Sequence, residues 1–157
     1  MFKEMRRKDR ELTRDAAMEI LNKGKYGVMS LAGADGYPYG VPLHYVLIDG
    51  NVYFHSAAAG GHKTECFAHN AKASFTVIET KNSIKARSAI IFGTVEMTPE
   101  MKVTVLEKIV EKFVPRFAWK FAKPGIQSAQ NGIIAYRLKP EHITAKWIDK
   151  PAKKSGE

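Results

Sequence analysis

Apolar and polar positions alternate along most of this chain, and only a few stretches switch to helical spacing. Ala16, Ala17, Ile20 and Leu21 recur at that spacing behind Thr13, a natural N-cap, and Gly24 ends the helix. Residues 26–31 read as a strand, and the Gly33-Ala34-Asp35-Gly36 turn leads to a second strand over 39–48. Asp49-Gly50 is a strong hairpin signal, so 51–55 should pair back. A short helix is predicted over 62–69, with Asn70 near its end. A strand follows over 73–79, with Phe75 and Val77 on one face. After the Lys81-Asn82-Ser83 loop, 86–97 form a long strand broken by Gly93. Thr98 should cap a helix with Pro99 at its first position and Glu100 in its first turn. Its apolar stripe is Val103, Leu106, Ile109, Val110 and Phe113, and Pro115 ends or kinks it. Residues 117–125 are aromatic and less regular. Residues 132–147 finish as one or two strands around Lys139-Pro140-Glu141, before a polar tail.

Six or seven strands in meander-like order, without alternating βα units, predict a mainly β fold with peripheral α-helices: an antiparallel barrel. No repeat or linker divides the chain. One domain over residues 1–148 and a polar C-terminal tail over 149–157 are expected.

Composition narrows the function. A chain of 157 residues with 45% hydrophobic content can bury a sizeable core. No apolar run approaches the roughly 20 residues of a membrane helix, and Met1 to Lys8 lacks the apolar stretch of a signal peptide. Cys66 stands alone, which fits a reducing, cytoplasmic setting and excludes zinc sites built on two cysteines. The net charge of +9 suits either an acidic polymer or a phosphorylated small molecule. Its basic residues are dispersed, and no basic helix with interleaved aromatics stands out. No specific nucleic-acid or membrane partner is therefore expected.

The most informative segment runs from Tyr53 to Lys63. An alternating apolar run ends in small residues, then Gly60, Gly61, His62 and Lys63 open a helix. Glycines let backbone N–H groups converge, a helix start adds donors and a positive dipole end, and Lys63 adds a full charge, with Ser56 as a neutral donor. A phosphate on a larger ligand is one reading of this loop. A strand-to-helix turn with a solvated lysine is the other.

Other candidates divide similarly. His55 could face a ligand or be a hydrogen-bonded core histidine, and His44 a rim residue or a ligand. His62 and His69 lie two turns apart on one helix, without the third ligand a metal site needs. Cys66 and Trp147 read as packing, although Trp147 could cover a cofactor edge; Arg116 and Lys120 read as helix-face charges. No nucleophile elbow, paired carboxylates or Walker loop is present. Reactivity is then expected to belong to a bound cofactor.

Several blocks resemble one family in order and spacing. They are Met5-Arg6-Arg7-Lys8-Asp9-Arg10-Glu11, Gly36-Tyr37-Pro38-Tyr39-Gly40-Val41-Pro42-Leu43, and Val52-Tyr53-Phe54-His55-Ser56-Ala57 before Gly60-Gly61-His62-Lys63. Phe67-Ala68-His69-Asn70-Ala71-Lys72-Ala73 and the strand from Ser88 to Gly93 complete the set. Across residues 3–148 the chain resembles the pyridoxamine 5′-phosphate oxidase-like, FMN-binding split-barrel superfamily. Within it, the chain is most similar to the nitroimidazole-resistance branch. That resemblance implies a homodimer with FMN at the interface. It implies that Val41, Pro42 and Leu43 pass beside the flavin ring, and that Phe54, His55 and Ser56 line it. Gly61, His62 and Lys63 would hold the phosphate, and Ser88 would lie near the ring or ribityl chain. A compact loop before Lys85-Ala86-Arg87-Ser88 departs from the family pattern and puts one ring-edge contact in doubt.

The resulting expectation is a cytoplasmic FMN-dependent oxidoreductase that reduces nitroaromatic compounds such as 5-nitroimidazoles. Reduced nicotinamide or another reductant would supply electrons, and His55 or solvent the proton. The alternatives are oxidation of a pyridoxamine-like phosphate, a non-catalytic flavin or haem carrier of the same fold, and a basic nucleic-acid module.

Overall fold

A computed structural model describes residues 1–82 and 85–149. Seven strands form one antiparallel sheet in the order β2-β1-β5-β6-β7-β4-β3. They are β1 (Tyr26–Ala32), β2 (Pro38–His44), β3 (Val46–Ile48), β4 (Asn51–Ala57), β5 (Lys72–Asn82), β6 (Lys85–Met97) and β7 (Ile133–Asp149). The edge strands β2 and β3 are consecutive in the chain and separated only by Tyr45. The sheet must therefore curl until its two edges meet at that residue, which makes a split barrel.

Tyr45 also explains why the stretch 39–48 is not one strand. Its side chain is fully buried, and its hydroxyl donates to the Leu21 carbonyl at 2.5 Å. That carbonyl lies in the last turns of α1 (Arg14–Lys23), which plugs the barrel with Ala17, Ile20 and Leu21. Thr13 caps α1, accepting from the Ala16 amide at 3.2 Å. Asp49 and Gly50 both have positive φ, 48° and 76°, as a two-residue hairpin turn matched to strand twist requires.

The break expected at Gly93 is absent: β6 runs through it, and the bulge lies opposite in β7, where Glu141 is the extra residue between Pro140 and His142. The β6–β7 register shifts between Phe92 and Gly93, opposite Pro140. Pro140 cannot donate to the ladder, and an irregular step tolerates this. The β7 backbone passes so close that a Cβ on Gly93 would sit 2.0 Å from the Lys139 carbonyl oxygen. Residues 133–149 consequently run as one strand rather than two.

Thr98 does not cap a helix. It is buried, its side chain makes no cap bond, and the chain first makes a 3₁₀ turn over Pro99–Met101. The helix α3 (Lys102–Phe113) starts after that turn. Val105, outside the expected stripe, is its fully buried residue. It packs with Val46, Tyr53 and Ala135 on the outer face of β3, β4 and β7. Residues 117–125, expected to be irregular, instead take part in successive single turns. These are Arg116–Ala118, α4 (Trp119–Ala122), Lys123–Gly125 and α5 (Ile126–Ala129). The expected loop at 81–82 belongs to β5, while Ser83 and the tail from Lys150 lie outside the described residues. Among the described residues no helix is long and apolar enough to cross a membrane.

Candidate active site

Alternation along β2 and β4 sorts the expected site residues by face. Leu43 and Phe54 are buried in the main core, and Val41 packs against it half-buried. Phe54 stacks on Tyr136 with ring centres 5.5 Å apart. These three hold the strands in place. Pro42 and His55 face outward into a cavity of about 340 Å³ lined also by Tyr26, Leu43 and His44. Phe113, at the end of α3, packs on Tyr26 and His44 at 5.6 and 4.5 Å between ring centres. Tyr26, His44 and Phe113 come from three elements, so no local spacing in the sequence could have grouped them.

The loop after β4 turns through two glycines with positive φ, Gly60 at 84° and Gly61 at 157°, into α2 (His62–His69). The Gly61 amide is not free for an anion, because it donates to Thr64 Oγ1 at 2.8 Å. The Gly61 carbonyl accepts in return from the Thr64 amide at 2.8 Å. His62 lies edge-on to Tyr39 of β2 at 4.5 Å, which ties the loop to that strand. Ser56 is half-buried on β4, beside the start of the loop.

Lys63 reaches back over β4. Its Nζ lies 5.7 Å above the Phe54 ring and 3.4 Å from the His55 carbonyl, a long contact for a cation. Burial holds its pKa below the ordinary 10.5. Among the described residues no carboxylate pairs with it. A half-buried ammonium without a counter-charge is a place where a ligand anion is strongly favoured.

His55 has a buried Nδ1 without a hydrogen-bond partner. Burial first, then the charge of Lys63 and the nearness of His44, push its pKa below 6.5. Its imidazole is therefore mostly neutral at pH 7, and one ring nitrogen waits for a partner. Lys63 and His55, neighbours through the His55 carbonyl, thus both carry unmet polar capacity.

Ser88 is elsewhere. It lies opposite Lys146 on β7, whereas His55 lies opposite Ala135, eleven residues away. The other way round the sheet the two regions come closer: Ile90 of β6 pairs with Thr76, Thr76 with Val28 and Val28 with Pro42, three strand spacings or roughly 15 Å. Ser88 is buried in the floor of a separate cavity of about 490 Å³, with Phe2, Ile90, Phe92, His142 and Thr144. The neighbouring Arg87 is occupied: it pairs with Glu79 and Glu19 and packs over Trp147. The structure thus puts Pro42 and His55 on one cavity, brings the Lys63 ammonium to the His55 carbonyl, packs His62 on Tyr39, and places Ser88 in a separate cavity. Cys66 is fully buried, its thiol pushed up by that burial, as packing would have it. No group of three His, Cys, Asp or Glu side chains among the described residues could hold a metal ion.

A family model for pyridoxamine 5′-phosphate oxidase matches residues 13–147, nearly the whole chain. The chain belongs to the pyridoxamine 5′-phosphate oxidase family. Solved structures agree on the fold of this family member. A conserved hypothetical protein of Mycobacterium tuberculosis superposes with a TM-score of 0.78 at 18% identity, over 98% of each chain. A candidate 5-nitroimidazole antibiotic resistance protein of Bacteroides thetaiotaomicron gives 0.69 at 18% identity, covering 87% of this chain and 86% of its own. An FAD-binding protein of Mesorhizobium loti gives 0.66 at 24% identity, over 88% and 96%. No curated protein sequence matches significantly. The pyridoxamine 5′-phosphate oxidase family member described here therefore shares its split-barrel fold with that FAD-binding protein.

Proposed function

We propose that this chain is an FMN-dependent oxidoreductase that works as a homodimer and passes electrons to nitroaromatic compounds such as 5-nitroimidazoles. The observation that carries the reading is Lys63: a half-buried cation without a carboxylate among the described residues, whose ammonium reaches the carbonyl of His55, a residue that lines a cavity with Pro42. A flavin phosphate would meet Lys63, with His62 at the head of the same helix. The ring would lie toward Pro42 and His55, whose unpartnered nitrogen suits a polar edge. Ser88 lines a cavity separate from the one that holds Pro42 and His55. The homodimer follows from the resemblance to the split-barrel superfamily, in which the flavin lies where two copies meet.

When bound, the flavin supplies the hydride and electron chemistry, taking electrons from reduced nicotinamide or a similar donor. The chain's own residues bind and orient. Lys63 anchors the phosphate, β2 and β4 give a rigid wall, and Phe113 and Tyr26 shield one side of the cavity from water. His55 enters as a neutral imidazole that can hydrogen-bond, and can hand on a proton where substrate binding raises its pKa.

The test is spectroscopic. Purified protein titrated with FMN should show bound-flavin bands near about 370 and 450 nm and quenched flavin fluorescence. After anaerobic reduction, a 5-nitroimidazole should reoxidise the flavin within the same protein. Absence of flavin binding would defeat the proposal, and binding without reoxidation would confine it to a flavin carrier.

A further inference from the structure

Residues 116–122 present a surface that the flavin site does not use. Positions alternate in pairs between exposed and half-buried. Ala118, Trp119 and Ala122 are half-buried, and Ile126 is buried in the turn beyond. Trp119 is pinned by a hydrogen bond from its Nε1 to the Val114 carbonyl at 2.8 Å. Arg116, Phe117, Lys120 and Phe121 point outward. Phe117 is 80% exposed and Phe121 76%, among the most exposed large apolar side chains in the described residues. They stand four residues apart, hence about one helical turn, and project together.

The charge around them has one sign. No Asp or Glu occurs from residue 112 to residue 140. Lys123 is neutralised by Glu111 at 3.2 Å. Arg116 and Lys120 have no carboxylate among the described residues and lie over the rings of Trp119 and Phe121, at 5.9 and 4.9 Å. A patch of two solvated phenylalanines and two unpaired cations complements a surface that is apolar beneath and anionic on top.

We infer that this face docks the protein on an anionic phospholipid surface, with Phe117 and Phe121 entering the headgroup layer and Arg116 and Lys120 meeting lipid phosphates. A nucleic acid fits less well. Two free cations neutralise about two phosphates, which gives weak, salt-sensitive binding, whereas the lipid boundary adds burial of both rings. The inference is independent of whether flavin is bound.

The experiment is co-sedimentation of the full chain with vesicles of phosphatidylcholine alone, and with vesicles in which roughly a third of the lipid is phosphatidylglycerol, at about 0.15 M salt. Binding to the anionic vesicles only is expected. F117S/F121S should weaken it at least about tenfold, and R116E/K120E should abolish it. All four side chains are exposed, so circular dichroism and the thermal midpoint should match the parent. If one double variant fails to fold, the other still decides the question. No sedimentation with anionic vesicles overturns the inference. So does sedimentation that both double variants retain, single-stranded DNA binding in place of vesicle binding, or a fall in oligomeric state on light scattering of F117S/F121S.

Discussion

Replacing Lys63 separates its two roles, as a burden on the empty protein and as an anchor for a phosphate. Its ammonium is half-buried, makes one long 3.4 Å contact to a carbonyl, and sits 5.7 Å above Phe54. Burial lowers its pKa from 10.5, so the fold gains little from the charge. Lys63→Met keeps most of the apolar stem over Phe54 and removes the charge. The flavin-free variant should then be as stable as the parent, within about 0.5 kcal/mol, or slightly more stable. FMN binding should weaken by about 1.5–3 kcal/mol, the range for a charge-assisted hydrogen bond, or roughly 10- to 150-fold in Kd. Riboflavin has no phosphate and should lose less than about twofold. The pH dependence follows from the same charge. In the flavin-free protein Lys63 deprotonates below its ordinary 10.5, so FMN affinity should fall as pH rises toward that value, and the variant should lose this slope. Fluorescence titrations with both ligands, paired with thermal melts, provide every number. Equal losses for FMN and riboflavin would refute the assignment, as would a flavin-free Lys63→Met that unfolds.

Three further perturbations test other parts of the argument. The folded pKa of His55 lies below 6.5 while the unfolded chain takes its proton near 6.5, so stability should be full above that pH and decline as pH falls through and below it. Chemical denaturation of His55→Gln at several pH values should show a flatter profile. If the imidazole also hands on a proton, the same variant should keep FMN yet slow nitroreduction about 10²-fold, measured by anaerobic turnover. Tyr45→Phe removes a buried hydroxyl that donates to Leu21 and should cost about 1–2 kcal/mol in urea unfolding; no loss would mean that the hydrogen bond does not hold α1 to the barrel. Gly93→Ala drives a Cβ to 2.0 Å from the Lys139 carbonyl and should cost about 2–3 kcal/mol or distort the bulge, read by the thermal midpoint and by amide exchange along β7.

The local pattern was enough for most elements. Period-two alternation placed the strands, Thr13 and the Asp49-Gly50 turn set their boundaries, and the glycine pair before His62 marked the start of α2, because each signal lies within a few residues of its effect. The family resemblance, spread over many short blocks, was legible for the same reason. What depended on contacts between distant residues was not. Tyr45 splits a run that reads as one strand because its ring must enter the core under α1. Gly93 and Pro140 keep two long strands continuous because β7 takes up an extra residue, Glu141, next to its missing donor, and Gly93 leaves room for the close approach. The aromatic run at 117–125 folds into single turns because Trp119 and Ile126 find the body of the protein, which leaves Phe117 and Phe121 outside. Within the site, the sequence named His55, His62 and Lys63 but could not assemble Tyr26, His44 and Phe113 around them. Nor could it show that Ser88 opens onto a separate cavity: spacing along a chain fixes faces and turns, whereas which strands share a cavity depends on how the sheet curls.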